Sequence, residues 1–140
     1  MTTIKDIKAK IASMLQALPE IKEVIDHPTS DFTKYPAAVA TITGGTGQVL
    51  DTHRNERTFN FVIRLYQEQS ENGKDKYQAD QILTDAADAV ILAFDQNRDL
   101  DGSVEIVRVL EFEINYTQTP GTYNFATFKV EAVVIVPNYS

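Results

Sequence analysis

Cysteine is absent from this chain of 140 residues, so the chain forms neither disulfide bonds nor thiolate metal sites. The sequence also lacks an apolar run long enough to span a bilayer. Its first residues, MTTIKDIKAK, mix charge into the apolar pattern and therefore contain no signal-peptide core. These absences are compatible with a protein of a reducing compartment that does not insert into a membrane.

Clustered basic charge is missing as well. The chain has a formal net charge of −7, and its 13 Lys and Arg residues are scattered along the sequence. Because affinity for nucleic acid comes largely from clustered Lys and Arg, this charge argues against tight binding to a phosphate backbone. Apolar residues make up 43% and charged residues 24%, which is typical of a globular protein, here a single domain covering residues 1–140.

Two segments have the apolar spacing of amphipathic helices. The first, IKDIKAKIASMLQAL, follows Thr3, and Asp6 three residues later completes a capping-box pattern. Pro19 is expected to end this helix, because proline cannot donate the helical hydrogen bond. The second helix is predicted over residues 77–94. The apolar stripe of the first helix consists of Ile4, Ile7, Ile11, Leu15 and Leu18.

Alternating or short apolar segments predict strands. The first two strands are expected over residues 21–26 and 37–43. The segment RTFNFVIRLY predicts a third, whose aromatic residues face the core rather than a nucleic-acid base, because they share a side with aliphatic residues. That side consists of Phe59, Phe61, Ile63 and Leu65.

The last two strands, VEIVRVLEFEINY and YNFATFKVEAVVIVP, are predicted to form a long antiparallel hairpin, because Pro120-Gly121 between them is a strong turn pair. The order of elements predicts an α+β fold: a mostly antiparallel β-sheet with two main helices packed on one face and a long C-terminal hairpin. In the first strand of that hairpin, one predicted face comprises Ile106, Leu110, Phe112 and Ile114, and the other Glu105, Glu111 and Glu113.

The segment DQNRDLDG, residues 95–102, has the alternating oxygen ligands and the glycine of a calcium loop. With Asn97 in the first position of such a loop, the last position should be a bidentate Glu, but it is Arg108, whose charge would repel the ion. A predicted helix precedes the segment, and a predicted strand follows it. We therefore interpret it as a polar connection at a helix C-terminus rather than as a metal site.

No other group of residues predicts a catalytic, cofactor-binding or metal site. Gly44, Gly45 and Gly47 follow a strand but have neither the spacing of a phosphate loop nor a helix after them. His27 and His53 lie in predicted loops with only single carboxylates nearby. Glu111 and Glu113, in the predicted strand VEIVRVLEFEINY, are spaced as on a solvent-facing strand surface. The sequence therefore predicts a protein without enzymatic activity, metal or cofactor.

The order of elements resembles that of the tail-terminator, or tail-completion, proteins of long-tailed bacteriophages. The resemblance covers nearly the whole chain. It comprises the helix IKDIKAKIASMLQAL, the loop and strand YPAAVATIT, the glycine-rich excursion before RTFNFVIRLYQEQS, the helix ADQILTDAADAVILAF and the two long final strands. The resemblance is one of pattern and length rather than of a signature motif.

This resemblance implies a structural virion protein, assembled in the host cytoplasm, that forms a hexameric ring at the head-proximal end of the tail tube. The ring stops tube polymerisation and docks the tail to the head. The implied partners are further copies of the chain, the tail tube protein and a connector or neck protein, with genomic DNA passing through the lumen without specific binding. Two alternatives stay open: a neck or head-completion protein, and a small cellular ligand-binding or enzymatic α+β domain.

A ring requires a heterologous interface, in which one patch of each subunit meets a different patch of the next. Two segments are longer than a connection needs: a glycine-rich and polar hairpin excursion over residues 44–57, and the turn of the C-terminal hairpin at 117–122. The two apolar residues within the excursion either contact a partner or pack on the domain's own surface. The candidate interface residues are Gln48, Val49, Leu50, Asp51, Arg54, Asn55, Arg57, Gln118, Thr119 and Tyr123.

From the sequence, we expect residues 44–57 to be poorly ordered in the free protein and to become ordered on assembly. Hydrogen exchange measured on the free and the assembled protein should then show slower exchange of this segment in the assembly. Equal protection in the two states would contradict this expectation.

Overall fold

The computed structural model describes residues 3–27, 32, 34–68, 76–115 and 123–137. The predicted helices and strands are all present, and the second strand continues past its predicted end at position 43. In chain order the elements are α1 (Ile4–Gln16), β1 (Glu23–Ile25), β2 (Ala37–Val49), β3 (Arg54–Glu68), α2 (Lys76–Gln96), β4 (Ile106–Asn115) and β5 (Tyr123–Pro137).

The strands form one sheet in the order β1-β2-β3-β5-β4. β1 pairs in parallel with β2, and all other neighbouring strands are antiparallel. Both helices pack on the face that carries Phe61 and Phe128, which we call the helix face. The opposite face, which carries Arg64 and Glu131, is the far face. The predicted α+β fold, with two helices on one face of a mostly antiparallel sheet, is confirmed.

The first helix begins as the sequence predicts. The Asp6 carboxylate accepts a hydrogen bond from the Thr3 amide at 2.9 Å, and the Thr3 hydroxyl accepts one from the Asp6 amide at 3.2 Å. These bonds satisfy two amides at the start of the helix, and the bond from the Thr3 amide chiefly holds the pKa of Asp6 below its usual value. The helix ends at Gln16, with Ala17 as its C-cap, shortly before Pro19.

The core lies between the two helices and the helix face. The apolar stripe of α1 and the predicted apolar side of β3 both enter it, as their periodicity requires. Three members of these patterns lie at its margin instead: Phe59 and Leu18 are partly buried, and Ile4 is 42% exposed. The largest fully buried side chains are those of Phe61, Phe94, Phe128, Ile7, Ile11, Leu15, Ile63, Leu65, Leu83, Leu100 and Gln67.

The predicted apolar face of β4 is wrong for the first half of the strand. Pairing with β5 shifts register at Leu110, which is an extra residue and forms a β-bulge. Before the bulge, Val107 rather than Ile106 lies on the helix face, where its side chain is buried. After the bulge, Phe112 and Ile114 lie on the helix face, as predicted. One extra residue reverses the alternation of side chains, so no single parity describes the whole strand.

The far face carries charges that pair between neighbouring strands. Arg108 lies opposite Glu131, and their side chains form an ion pair at 2.7 Å. Glu111 lies opposite Lys129 and pairs with it at 3.0 Å. The hydrogen bond to Glu111 raises the pKa of Lys129 above its usual value. The predicted position of Glu111 and Glu113 on an exposed face is confirmed.

Replacing Phe128 by Ala should remove a fully buried ring from the core and lower the free energy of unfolding by about 3–5 kcal/mol. Phe112→Ala is the matched control. The Phe112 ring stacks on Phe128 with centroids 6.2 Å apart, but it is 55% exposed, so its loss should cost much less. Urea denaturation of both variants measures the difference, and equal losses would contradict it.

Candidate assembly interface

The hairpin of β2 and β3 carries most of the predicted interface residues. Pairing between the two strands continues as far as Val49, which lies opposite Asn55. Every residue of β2 from position 43 onward is exposed. Residues 44–57 therefore form a hairpin, as predicted, but they do so as the ends of two paired strands and the short turn between them, so β2 continues beyond its predicted end at position 43.

The turn of this hairpin is held by Asp51. Its carboxylate accepts a hydrogen bond from the His53 amide at 2.8 Å and another from Arg54 Nε at 2.9 Å. Both bonds favour the charged carboxylate, and the bond from His53 chiefly holds the pKa of Asp51 below its usual value. The Leu50 amide donates to the Arg54 carbonyl at 3.0 Å. Asp51 and Arg54 thus stabilise the hairpin itself, in addition to any contact with a partner.

The tip of the hairpin exposes apolar side chains to water. Val49 is 70% exposed and Leu50 38%. Gln48 and Arg57 are exposed beside them, whereas the Asn55 Oδ1 is buried without a hydrogen-bond partner in the described part of the chain. Covering a Val or Leu side chain completely would contribute roughly 1.5–3 kcal/mol, so a partner surface at this tip would be stabilising.

The remaining predicted interface residues are not part of the β2–β3 hairpin. Gln118 and Thr119 lie outside the described residues. Tyr123 begins β5 and pairs with Glu68, at the end of β3 that is remote from the hairpin turn. Since β3 has 15 residues, its two ends are roughly 45 Å apart. The structure therefore brings together only the predicted residues between positions 48 and 57.

A groove that the sequence analysis missed lies on the helix face at the base of the hairpin. Its volume is about 410 Å³. Ile4, Ile42 and Phe59 supply its apolar walls, and Arg57 also lines it. Its floor contains the three glycines of β2, which leave the backbone uncovered. The periodicity of Ile4 and Phe59 shows the side to which they point, but it does not show that this part of the helix face is uncovered.

The segment over residues 95–102 comprises the end of α2 and, from Asn97 onward, a tight connection. Asn97 Oδ1 accepts a hydrogen bond from the Asp101 amide at 3.0 Å, and Asn97 Nδ2 donates to the Asp101 carboxylate at 3.3 Å. Lys10 Nζ lies 3.8 Å from that carboxylate. Leu100, Asp101 and Gly102 all have positive φ, and the Leu100 side chain is fully buried. These contacts agree with the interpretation of the segment as a polar connection.

The other chemical candidates of the sequence are dispersed. His27 lies 3.4 Å from Asp26 at an exposed position, His53 lies in the hairpin turn, and the glycines of the suspected phosphate loop belong to β2. Among the described residues, no group of three or more His, Cys, Asp or Glu is placed to hold a metal ion. No helix in this part of the chain is long and apolar enough to cross a bilayer.

Comparison with known proteins assigns the chain to no family. No protein-family model matches the sequence, and no curated protein matches it significantly. Function is therefore inferred from the fold and from the geometry of the hairpin and the groove.

Gly45→Ala should destabilise the hairpin, because a Cβ there would lie 2.3 Å from the Thr58 carbonyl oxygen, which belongs to the paired backbone. Overpacking of this kind costs roughly 1–3 kcal/mol. Gly47→Ala is the matched control, since the nearest atom would be 3.9 Å away. Thermal denaturation should show a clearly lower Tm for Gly45→Ala alone. Similar values for the two variants would contradict the close approach of the strands at Gly45.

Proposed function

We propose that this chain is a structural virion protein that forms a hexameric ring at the head-proximal end of a phage tail tube. There it stops tube polymerisation and docks the tail to the head connector, without enzymatic activity. The α+β fold agrees with the layout of the tail-terminator family that the sequence resembles. Because one fold serves many functions, the proposal depends chiefly on the surface that the fold presents.

The exposed apolar tip of the β2–β3 hairpin is the observation that carries this proposal. Exposure of the Val49 and Leu50 side chains to water is unfavourable, and a partner surface that covered them would stabilise the complex. The strands below the tip are regularly paired, and the carboxylate of Asp51 fixes the turn from within. The hairpin therefore presents its tip as a defined projection, which suits one half of a heterologous contact between subunits or with the tube.

The charge of the chain suits the passage of DNA through such a ring. The net charge is −7, and Glu111 and Glu113 are exposed on the far face of β4, where Lys129 pairs with Glu111. An acidic lumen repels phosphate groups, so DNA would slide through it without binding. We therefore expect the far face of β4 and β5 to point toward the lumen. A map of the assembled ring in which these glutamates point outward would contradict this part of the proposal.

Negative-stain electron microscopy of the purified protein, over a concentration series with and without magnesium, tests the proposed function. We expect rings with a central hole and hexameric symmetry. If only small particles form, tail tubes are added, and density bound at one tube end is the expected result. Neither rings nor end-bound density would overturn the proposal, and rings that bind isolated connectors but not tubes would favour a neck protein.

A double substitution of the hairpin tip, Val49→Ser with Leu50→Ser, should raise the protein concentration needed for ring formation or end binding by roughly tenfold or more. Both side chains are exposed, so the variant should fold normally. Leu92→Ser is the matched control, because Leu92 is 54% exposed on α2, outside the hairpin. An equal effect of both variants, or none of the tip variant, would contradict a role of the tip in assembly.

A further inference from the structure

Both lateral edges of the sheet are open in the described part of the chain. β1 pairs only with residues 37–39 of β2, which leaves the outer edge of β2 without a strand partner from position 40 to Val49. On the other side, β4 pairs only with β5, and its edge is open beyond Val107, whose amide donates to the Arg98 carbonyl. Open edges present amide and carbonyl groups that can bond to another strand.

The β4 edge exposes two large apolar side chains. Leu110 and Phe112 are each 55% exposed, and Phe112 lies on the helix face. Charged residues usually protect such an edge from pairing. In β4, however, Arg108 and Glu111 are already bound to residues of β5 on the far face. Their charges therefore do not prevent another strand from approaching this edge on the helix-face side.

The β2 edge offers a shape that is complementary to those side chains. The groove of about 410 Å³ borders this edge on the helix face. A Cβ added at Gly47, which lies on the helix face, would meet no atom closer than 3.9 Å, so the space above this glycine is empty. At Gly45 a Cβ would lie 2.3 Å from the Thr58 carbonyl oxygen, so only a glycine fits there and the backbone stays bare. Ile4 and Phe59 beside the floor provide apolar walls. An aromatic ring entering from outside would therefore contact apolar side chains and bare backbone.

We propose that copies of this chain join edge to edge, with β4 of one copy pairing with β2 of the next and Phe112 seated in the glycine-floored groove. The inference rests on the proposed ring, for which it names the contact between neighbouring subunits. β2 runs in the same direction as β5 and opposite to β4. Copies in the same orientation therefore bring β4 and β2 together antiparallel, with all helices on one side of a continuous sheet.

The position of β1 sets the register of this contact. Because β1 occupies the edge beside residues 37–39, β4 of the neighbouring copy lies further along β2, toward the hairpin turn. Seating Phe112 on Gly45 meets this condition, since Gly45 lies opposite Phe59 and thus on the helix face. Antiparallel pairing then places Glu111 opposite Thr46, with both side chains on the far face.

Disulfide cross-linking tests the contact directly, because the chain has no cysteine of its own. Thr46→Cys and Glu111→Cys are prepared as separate proteins, mixed, and oxidised over a concentration series. Both positions are exposed, so the substitutions should leave the fold intact. We expect a disulfide-linked dimer in the mixture and none with either protein alone, since a heterologous contact does not bring two identical positions together.

Three further variants serve as controls. Asp88→Cys, at an exposed position of α2, should give no dimer with Thr46→Cys. A chain carrying both T46C and E111C should give a ladder of linked copies. Within one copy, β3 and β5 lie between the two positions, which separates them by roughly 14 Å across the sheet alone and puts them beyond the reach of a disulfide. Adding Phe112→Ser to E111C should lower the yield of the mixed dimer by roughly tenfold or more.

The outcomes separate this inference from the proposed ring. A dimer of E111C alone would indicate that two β4 edges pair with each other, which would overturn the inference. Oligomers detected by light scattering without the mixed cross-link would overturn the inference but leave the proposed ring intact. A monomer at every concentration, with no cross-link and no density at tube ends, would contradict both.

Discussion

The pairing of β3 with β5 is the contact on which the rest of the structure depends. All 15 residues of β3 pair with β5, from Arg54 opposite Pro137 to Glu68 opposite Tyr123. Part of this ladder lies beneath the helices and contributes Phe61 to the core, and part of it supports the exposed hairpin. Since the same continuous strands serve both parts, the packing of the core sets the direction in which the hairpin points.

The helices and the core side of β3 could be predicted because their burial is one-sided. A helix or strand that is covered on one side repeats its apolar residues with the period of its backbone. β2 beyond position 43 is exposed on both sides, so its residues 44–49 show no alternation, and the sequence predicts a polar hairpin excursion there rather than a continuation of the strand. Their backbone nevertheless pairs regularly with β3, because strand pairing depends on the neighbouring strand as well as on the local pattern.

The groove and the β4 edge could not be predicted for a different reason. Periodicity gives the side to which a residue points, but strand order determines whether another element covers it. Phe112 and Phe128 share the helix face and stack at 6.2 Å, yet one is 55% exposed and the other is buried, because β4 is an edge strand and β5 is not. The strand order results from contacts between distant parts of the chain, and a single sequence does not display them.

The bulge at Leu110 bears on how copies of the chain can assemble. A contact between two different edges repeats from copy to copy and ends only if the accumulated rotation closes a ring; otherwise it continues as a filament. A bulge bends its strand and increases the local twist. In the proposed contact this bulge lies at the joint between copies, so every joint would carry the same local bend, which is what a closed ring requires of a repeated contact. In a closed ring both edges of each sheet are paired. The unpaired edge strands that would make a monomer prone to aggregation are then covered by neighbouring copies.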